Sequence, residues 1–504
     1  MKSFYILIFT LLLFQTSDAQ TKSKSLSNQK VKKGSNVILP NKHNKLGHNI
    51  SITLTPAKNQ KAYLGCYYGK SKAIMDSCML DENSKGRFIG EKKLIGGIYF
   101  VVSQAYSIQF ELLIGDDQEF AIIGDTTQKE KFNIVGSSDN DIFKNYTTVS
   151  FELGTTINTL SKSLVNLKNS ADSANIIEQI KAKNDEMIKF RNEIIEKNPT
   201  TLMASLLAAM RRPHAPAIPY DSITNKHDSA YPYRFIKEHF WDDVDFADDR
   251  LLRTPFFDPK IDEYLKFYVS SEPDSIVPEI KYMLLSARES KEMYAYLLTK
   301  FTNKYINPEY MGQDRVFVYL FTDFYLKGDT TVLDSKSRKT IIDRGYSLML
   351  NQLGNIAPAL DLTDTTGKLV SMYDIKAKFT FVAYWDPTCG HCRTELPLID
   401  SIYKAKWNKL DVAVYSVISK DDLLPELKKF IKEKNLSSEW HYVYETKAQK
   451  EATEKAGLPN FRQGYDLTKT PIFYLLDANK RIIGKNLTIQ QIDDLISKKL
   501  SLPK

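Results

Sequence analysis

Residues 379–392 read FTFVAYWDPTCGHC: an unbroken aromatic and aliphatic run, Phe379–Trp385, passes through Asp386-Pro387-Thr388 into Cys389-Gly390-His391-Cys392, and a helical pattern begins at Arg393. An apolar run of this length, bounded by turn residues, predicts a strand buried on both faces. A strand that feeds directly into a helix belongs to an α/β layer arrangement. The strand–turn–helix setting is what turns a bare Cys-x-x-Cys into a strong signal of chemistry. A cysteine at a helix start faces unpaired amide donors and the positive end of the helix, both of which favour thiolate over thiol. His391 between the cysteines adds to that effect when protonated, and Cys392, one turn further in, is the less exposed sulfur.

The order of segments around this motif narrows the fold. Ahead of it, ALDLTDTTGKLVSMYDI reads as strand, turn at Gly367 and return strand. Behind it come a buried strand, Val412–Ile418, a helix, Leu423–Lys434, then Thr470-Pro471 leading into IFYLLD, a turn at Ala478–Lys480, RIIG, and an amphipathic helix, Ile489–Leu500. With these residues in view, the segment from about 350 to 504 resembles the TlpA-like branch of the thioredoxin superfamily. The whole chain is similar to the exported, multidomain members common in Bacteroidota, of the AhpC/TSA and thioredoxin-like type.

The resemblance implies a thiol-disulfide oxidoreductase. In it Cys389 is the attacking thiol, Cys392 the resolving thiol, and Thr470-Pro471 a substrate-facing cis-proline pair. It also implies that Trp385 is the aromatic near the site and that Pro397, in the active-site helix, marks its kink. Two positions depart from cytosolic thioredoxin: Ala383 replaces a buried aspartate and Thr388 replaces a tryptophan, so that protein's proton route and substrate preference do not transfer. The resemblance favours the reductase or isomerase direction and implies no cofactor. Its partners would be envelope proteins carrying disulfides or cysteines, together with an upstream electron donor that the sequence does not identify.

The rest of a 504-residue chain calls for further domains. Lys2, the apolar stretch Phe4–Phe14 and the polar Ser17-Asp18-Ala19-Gln20 follow the order of a secretory signal peptide, so residues 1–19 are expected to be removed and the protein exported, most simply to the periplasm. No cysteine opens the expected mature chain, which gives no sign of a lipid anchor, and no later run is apolar for long enough to span a bilayer. Residues 20–45, rich in Lys, Ser and Asn, read as a flexible lead-in. Short apolar runs separated by turn residues over 46–136 predict an antiparallel β meander or small sandwich. A helical extension over 137–210 follows, then a proline-rich linker, 211–220, and a helical domain, 221–352, before the thioredoxin-like domain, 353–504. The expected fold is therefore multidomain: mainly β, then α-helical, then α/β.

The net charge of +8, from 69 basic and 61 acidic residues, is a small excess without the arginine-rich or aromatic-interleaved stretch of a nucleic-acid groove. The pairs Asp242-Asp243 and Asp248-Asp249 lack the spaced ligands of a calcium loop, and His214, His227 and His239 are scattered, so no metal is assigned. Of the four cysteines, Cys66 and Cys78 fall in adjacent predicted strands. A turn near Lys70-Ser71 would set Cys66 opposite Met75, which disfavours a Cys66–Cys78 disulfide. Two alternatives stand beside disulfide exchange: a thiol peroxidase, and a non-enzymatic envelope interaction protein that docks through its thioredoxin-like domain.

Overall fold

The computed structural model describes residues 47–128, 132–165, 170–218, 220–221, 226–329, 333–418 and 421–501; the expected signal peptide (1–19) and lead-in (20–45) lie outside the described residues. The chain divides into two compact units, Met1–Tyr268 and Val269–Lys504.

The first unit opens with β1 (His48–Thr55), β2 (Lys61–Tyr68), β3 (Ser71–Met79), β4 (Lys85–Gly90), β5 (Gly97–Val102), β6 (Ile108–Ile114), β7 (Glu119–Asp125) and β8 (Phe132–Val135). In β1, Ile50, Ile52 and Leu54 are buried while Asn49, Ser51 and Thr53 are half-buried, the alternation of a strand with one face on a core. The strands form two four-stranded sheets, β4-β1-β7-β8 and β3-β2-β5-β6, which share one core containing Ile52, Leu64, Val101, Leu112 and Ile122. The arrangement is thus a sandwich, and it corrects the antiparallel meander: β1 and β7 run parallel. The reason is that β5 and β6 belong to the opposite sheet, so the chain returns beside β1 in the same direction.

The β2–β3 hairpin turns at Gly69-Lys70, one residue earlier than expected, with Gly69 at φ +56. This register, with a bulge at Leu64/Gly65, sets Cys66 opposite Ala73 and Cys78 opposite Ala62, which corrects the expected Met75 pairing. Both cysteines are buried, and no disulfide joins them.

Two long helices, α1 (Ser138–Val165) and α2 (Ser170–Lys197), and the short α3 (Leu202–Met210) follow. The buried Asn140 side chain pins the start of α1 to β6, accepting from the Leu113 N–H at 2.8 Å and donating to the Leu113 carbonyl at 2.8 Å. Thr201 caps α3 by accepting from the Ala204 N–H. A two-residue strand pair, β9 (Tyr220–Asp221) with β10 (Lys226–His227), precedes α4 (Tyr231–His239), a 3-10 turn at Asp249–Arg253 and α5 (Phe257–Phe267).

Every residue of β5 is buried, because the 249–253 turn covers the outer face of its sheet. Leu252 accepts from the Gly69 N–H at 2.8 Å, Lys70 pairs with Asp262 at 2.6 Å, and a Cβ on Gly97 would lie 2.3 Å from that of Arg253. Asp248 caps this turn and pairs with Arg250. The 211–218 stretch has no regular structure and lies within this unit. Buried Lys260 donates to the carbonyls of Ala209 and Arg211, and Arg212 forks onto Glu263. The segment expected as one helical domain, 221–352, is therefore divided at 268/269, its first part joining the β sandwich.

The second unit begins with α6 (Pro273–Ser286), α7 (Lys291–Tyr305), α8 (Asp314–Asp323) and α9 (Ser335–Leu350), whose inward side chains Ile280, Leu297, Phe301, Phe317 and Leu320 are fully buried. The remaining elements are β11 (Asp361–Asp364), β12 (Leu369–Ser371), β13 (Phe379–Trp385), α10 (Gly390–Ala405), β14 (Val412–Ile418), α11 (Leu424–Lys434), β15 (His441–Tyr444), α12 (Lys447–Lys455), α13 (Phe461–Gly464), β16 (Ile472–Asp477), β17 (Ile482–Lys485) and α14 (Ile489–Ser501). They build a seven-stranded sheet in the order β12-β11-β15-β14-β13-β16-β17. Central β13 is parallel to β14 and antiparallel to β16, and all of its residues are buried. Phe381, Ala383 and Trp385 enter one core and Val382 and Tyr384 the other, so the sheet is covered on both faces. Among the described residues, no helix is long and apolar enough to cross a membrane.

Candidate active site

β13 ends at the sheet's C-terminal edge, and the next three residues place the first cysteine. The Asp386 side chain accepts from the Thr388 N–H at 2.7 Å and from its hydroxyl at 2.6 Å, an Asx turn that redirects the chain. The Cys389 N–H then donates to the Asp386 carbonyl at 3.1 Å, leaving Cys389 as the N-cap of α10 in an extended conformation. Pro397 stands half-buried inside that helix.

The two sulfurs are in unlike surroundings. Cys389 is half-exposed; the backbone N–H of Cys392 donates to its sulfur, with smaller contributions from the Cys392 thiol, Thr470 and the His391 N–H, and together they hold its pKa below the ordinary thiol value. Cys392 is fully buried, and burial pushes its thiol up to about 12, against the pull of the Asp386 N–H, which donates to its sulfur at 3.5 Å. Both thiols are free. The His391 ring is exposed, and this residue reaches Cys389 through its main-chain amide rather than through a buried imidazole contact.

Opposite the dithiol, Thr470-Pro471 is cis, and the Thr470 carbonyl accepts from the Cys389 thiol at 3.8 Å. Trp385 lies behind the pair: it is fully buried, donates its indole N–H to the Ser416 hydroxyl at 2.8 Å and packs on Phe430. The structure thus gathers Cys389, His391, Cys392, Thr470 and Pro471 at one edge of the sheet, with Trp385 and Pro397 in supporting positions. Ala383 is buried in the core, on the face that also holds Cys392.

Several neighbours of the dithiol were not singled out in the sequence. Asp386 contributes through its amide and its turn. Arg393 stacks its guanidinium 4.7 Å over Phe430 and donates to the Pro387 carbonyl, tying α10 to α11 and to the turn. A cleft of about 240 Å³ opens beside the pair, lined by Tyr384, Asp386, Phe461, Arg462 and residues 467–470. Its far wall comes from residues 461–470, which begin 69 residues after Cys392, with no local spacing to reveal it.

The AhpC/TSA family model matches residues 353–484, and a family described as a domain of unknown function, DUF5106, matches 168–339. The thiol-disulfide oxidoreductase ResA of a Bacillus cereus strain is 24% identical over 150 residues, which is 29% of this chain and 78% of that protein. A thioredoxin-like protein from Bacteroides caccae aligns with 57% of this chain and 99% of its own at 20% identity and a TM-score of 0.43. A domain of a possible thiol-disulfide isomerase from Cytophaga hutchinsonii aligns with 29% and 92% at 34% identity and a TM-score of 0.26. The AhpC/TSA match contains both cysteines of the dithiol, and together with the similarity to ResA it supports a TlpA-like, thioredoxin-superfamily C-terminal domain in this multidomain chain.

Proposed function

We propose that the protein exchanges disulfides with envelope proteins through Cys389 and Cys392, working as a reductase or isomerase. The observation that carries this reading is the inequality of the two thiols: a half-exposed Cys389 inclined to thiolate, and a buried Cys392 whose thiol is pushed up to about 12. Thiolate character and access select the attacking sulfur.

Cys389 thiolate attacks one sulfur of a client disulfide, forming a Cys389–client disulfide and releasing the other client sulfur as a thiolate that takes a proton from water. Cys392 then gives up its proton and its sulfur attacks Cys389 Sγ, closing the Cys389–Cys392 disulfide and expelling the second client thiolate. The client gains two electrons and the protein loses two, so an external thiol donor must reset the pair. The Thr470 carbonyl and the cleft beside it offer the surface along which an extended client segment can lie. Export is part of the proposal and rests on the charge and apolar order of residues 1–19.

The test uses full-length protein isolated from the envelope fraction, its N-terminus expected at Gln20 and its dithiol reduced beforehand. It should reduce a protein disulfide such as insulin, and Cys389→Ser should remove that activity. Retention of residues 1–19 would overturn their removal as a signal peptide, and recovery of the protein in the cytosolic fraction alone would overturn export. Absence of turnover would overturn the redox assignment, while peroxide consumption that needs Cys389 and persists in Cys392→Ser would assign the site to thiol peroxidase chemistry instead.

A further inference from the structure

The cleft wall that carries Thr470 is held from two sides. From within the thioredoxin-like domain, the Tyr465 hydroxyl donates to the Pro358 carbonyl at 2.6 Å, and the Tyr474 hydroxyl donates to the Tyr465 carbonyl at 2.7 Å. The other anchors come from α9 and the residue following it. Arg344 pairs with Asp466 at 2.9 Å, with side-chain exposures of only 18% and 12%, and the Asn351 amide donates to the Gly464 carbonyl at 3.2 Å. Asn351 is itself fixed: it is fully buried, and Lys485 Nζ donates to its carbonyl and to its side-chain oxygen.

Asp466 sits between two stretches of the wall, Phe461–Arg462 and Leu467–Thr470, at φ +48, a left-handed conformation that Asp tolerates better than most residues with a Cβ and that turns the chain between them. Burial raises the pKa of its carboxyl, while the Arg344 charge opposes that shift and stabilises the anion. Arg344 and Asn351 lie between the two family-model matches, which end at 339 and begin again at 353, so neither match includes these anchors. An extended client must lie against the wall to bring its disulfide to Cys389. A small disulfide needs only a path to the sulfur.

Resting on the disulfide-exchange reading, we infer that Arg344 is a positioning residue for client recognition: its pairing with Asp466 sets the 461–470 wall against the dithiol, so α9 governs reaction with extended protein disulfides but not with small ones. The helices ahead of the thioredoxin-like domain thereby acquire a part in choosing the client.

The test compares reduced full-length wild type, Arg344→Ala, Arg344→Lys and the swap Arg344→Asp/Asp466→Arg, measuring kcat/KM with insulin and the rate with 5,5′-dithiobis(2-nitrobenzoic acid). Misplacing a positioned partner by about 1 Å costs up to about 100-fold, so Arg344→Ala should lower the insulin value by about tenfold or more while leaving the small-disulfide rate within about twofold. Arg344→Lys should fall between wild type and Arg344→Ala, and the swap should recover part of the loss. Should Arg344→Ala fail to fold, Asp466→Asn, which keeps the shape of the side chain, is read in the same way. An unchanged insulin value, or both rates falling together, overturns the inference while the redox reading stands. A wild type inert toward both disulfides overturns the redox reading and this inference with it.

Discussion

Cys389 and Cys392 have the same side chain and are separated by only Gly390 and His391, yet their surroundings move their thiols in opposite directions. The lowering at Cys389 comes first from the Cys392 amide at the helix start, and the raising at Cys392 from burial. The thiolate is the reactive form, and its fraction rises as pH passes through the pKa. Alkylation of reduced protein by iodoacetamide should therefore reach half its plateau at Cys389 at a lower pH than it does for an unperturbed cysteine thiol. Cys392, pushed up to about 12, should stay unmodified over the same range. Mass spectrometry of the two peptides checks this, and equal labelling would contradict the assignment of attacking and resolving sulfurs. The dithiol itself was legible because the spacing of Cys389 and Cys392 and the helix start are local features. The Asp386 amide on Cys392 was not, since that contact exists only once the Asp386-Pro387-Thr388 turn is folded.

Among the elements, those with strong periodicity were readable almost to the residue. β13 and β14 coincide with the apolar runs Phe379–Trp385 and Val412–Ile418, and α14 with the expected helix Ile489–Leu500 to within one residue, because burial on both faces or along one helical stripe leaves a direct trace in sequence. The hairpin register at Cys66 was off because one residue in the turn shifts the whole pairing, and turn position is set by Gly69 rather than by hydrophobic pattern. Contacts between distant elements left no such trace. Lys485 on β17 pairs with Asp314 at the start of α8 at 2.5 Å, with side chains only 4% and 5% exposed, although the two are far apart in the chain. Removing one member of a buried pair strands the other charge, so Lys485→Met should destabilise the second unit by about 3–5 kcal/mol. Lys485→Met with Asp314→Leu should regain most of that loss. Trp385, Trp407 and Trp440 all lie in this unit and Trp241 in the first, so tryptophan fluorescence during thermal unfolding reports mainly on the relevant transition. A double variant no more stable than Lys485→Met alone would show that the charges are not what couples β17 to α8.

At the scale of the whole molecule, the order β, then helical, then α/β was legible from the change of hydrophobic period along the chain. The position of the division was not. Residues 249–267 carry a helical pattern, but Leu252, Arg253 and Asp262 meet the β sandwich, and the compact unit closes at Tyr268. Nothing in a helical stripe says which surface it will cover. In the second unit, the helices and the thioredoxin-like domain are joined by the Lys485–Asp314 and Arg344–Asp466 pairs, so that domain is not an independent module appended to unrelated helices.

The central claim, that Cys389 attacks and Cys392 resolves, is tested most directly by trapping. Full-length Cys392→Ala, reduced and mixed with a protein disulfide, should accumulate a mixed disulfide whose tryptic mass places the client on Cys389, while Cys389→Ala under the same conditions should trap little. A trapped client on another cysteine, or no accumulation in Cys392→Ala while the wild type turns over, would contradict it.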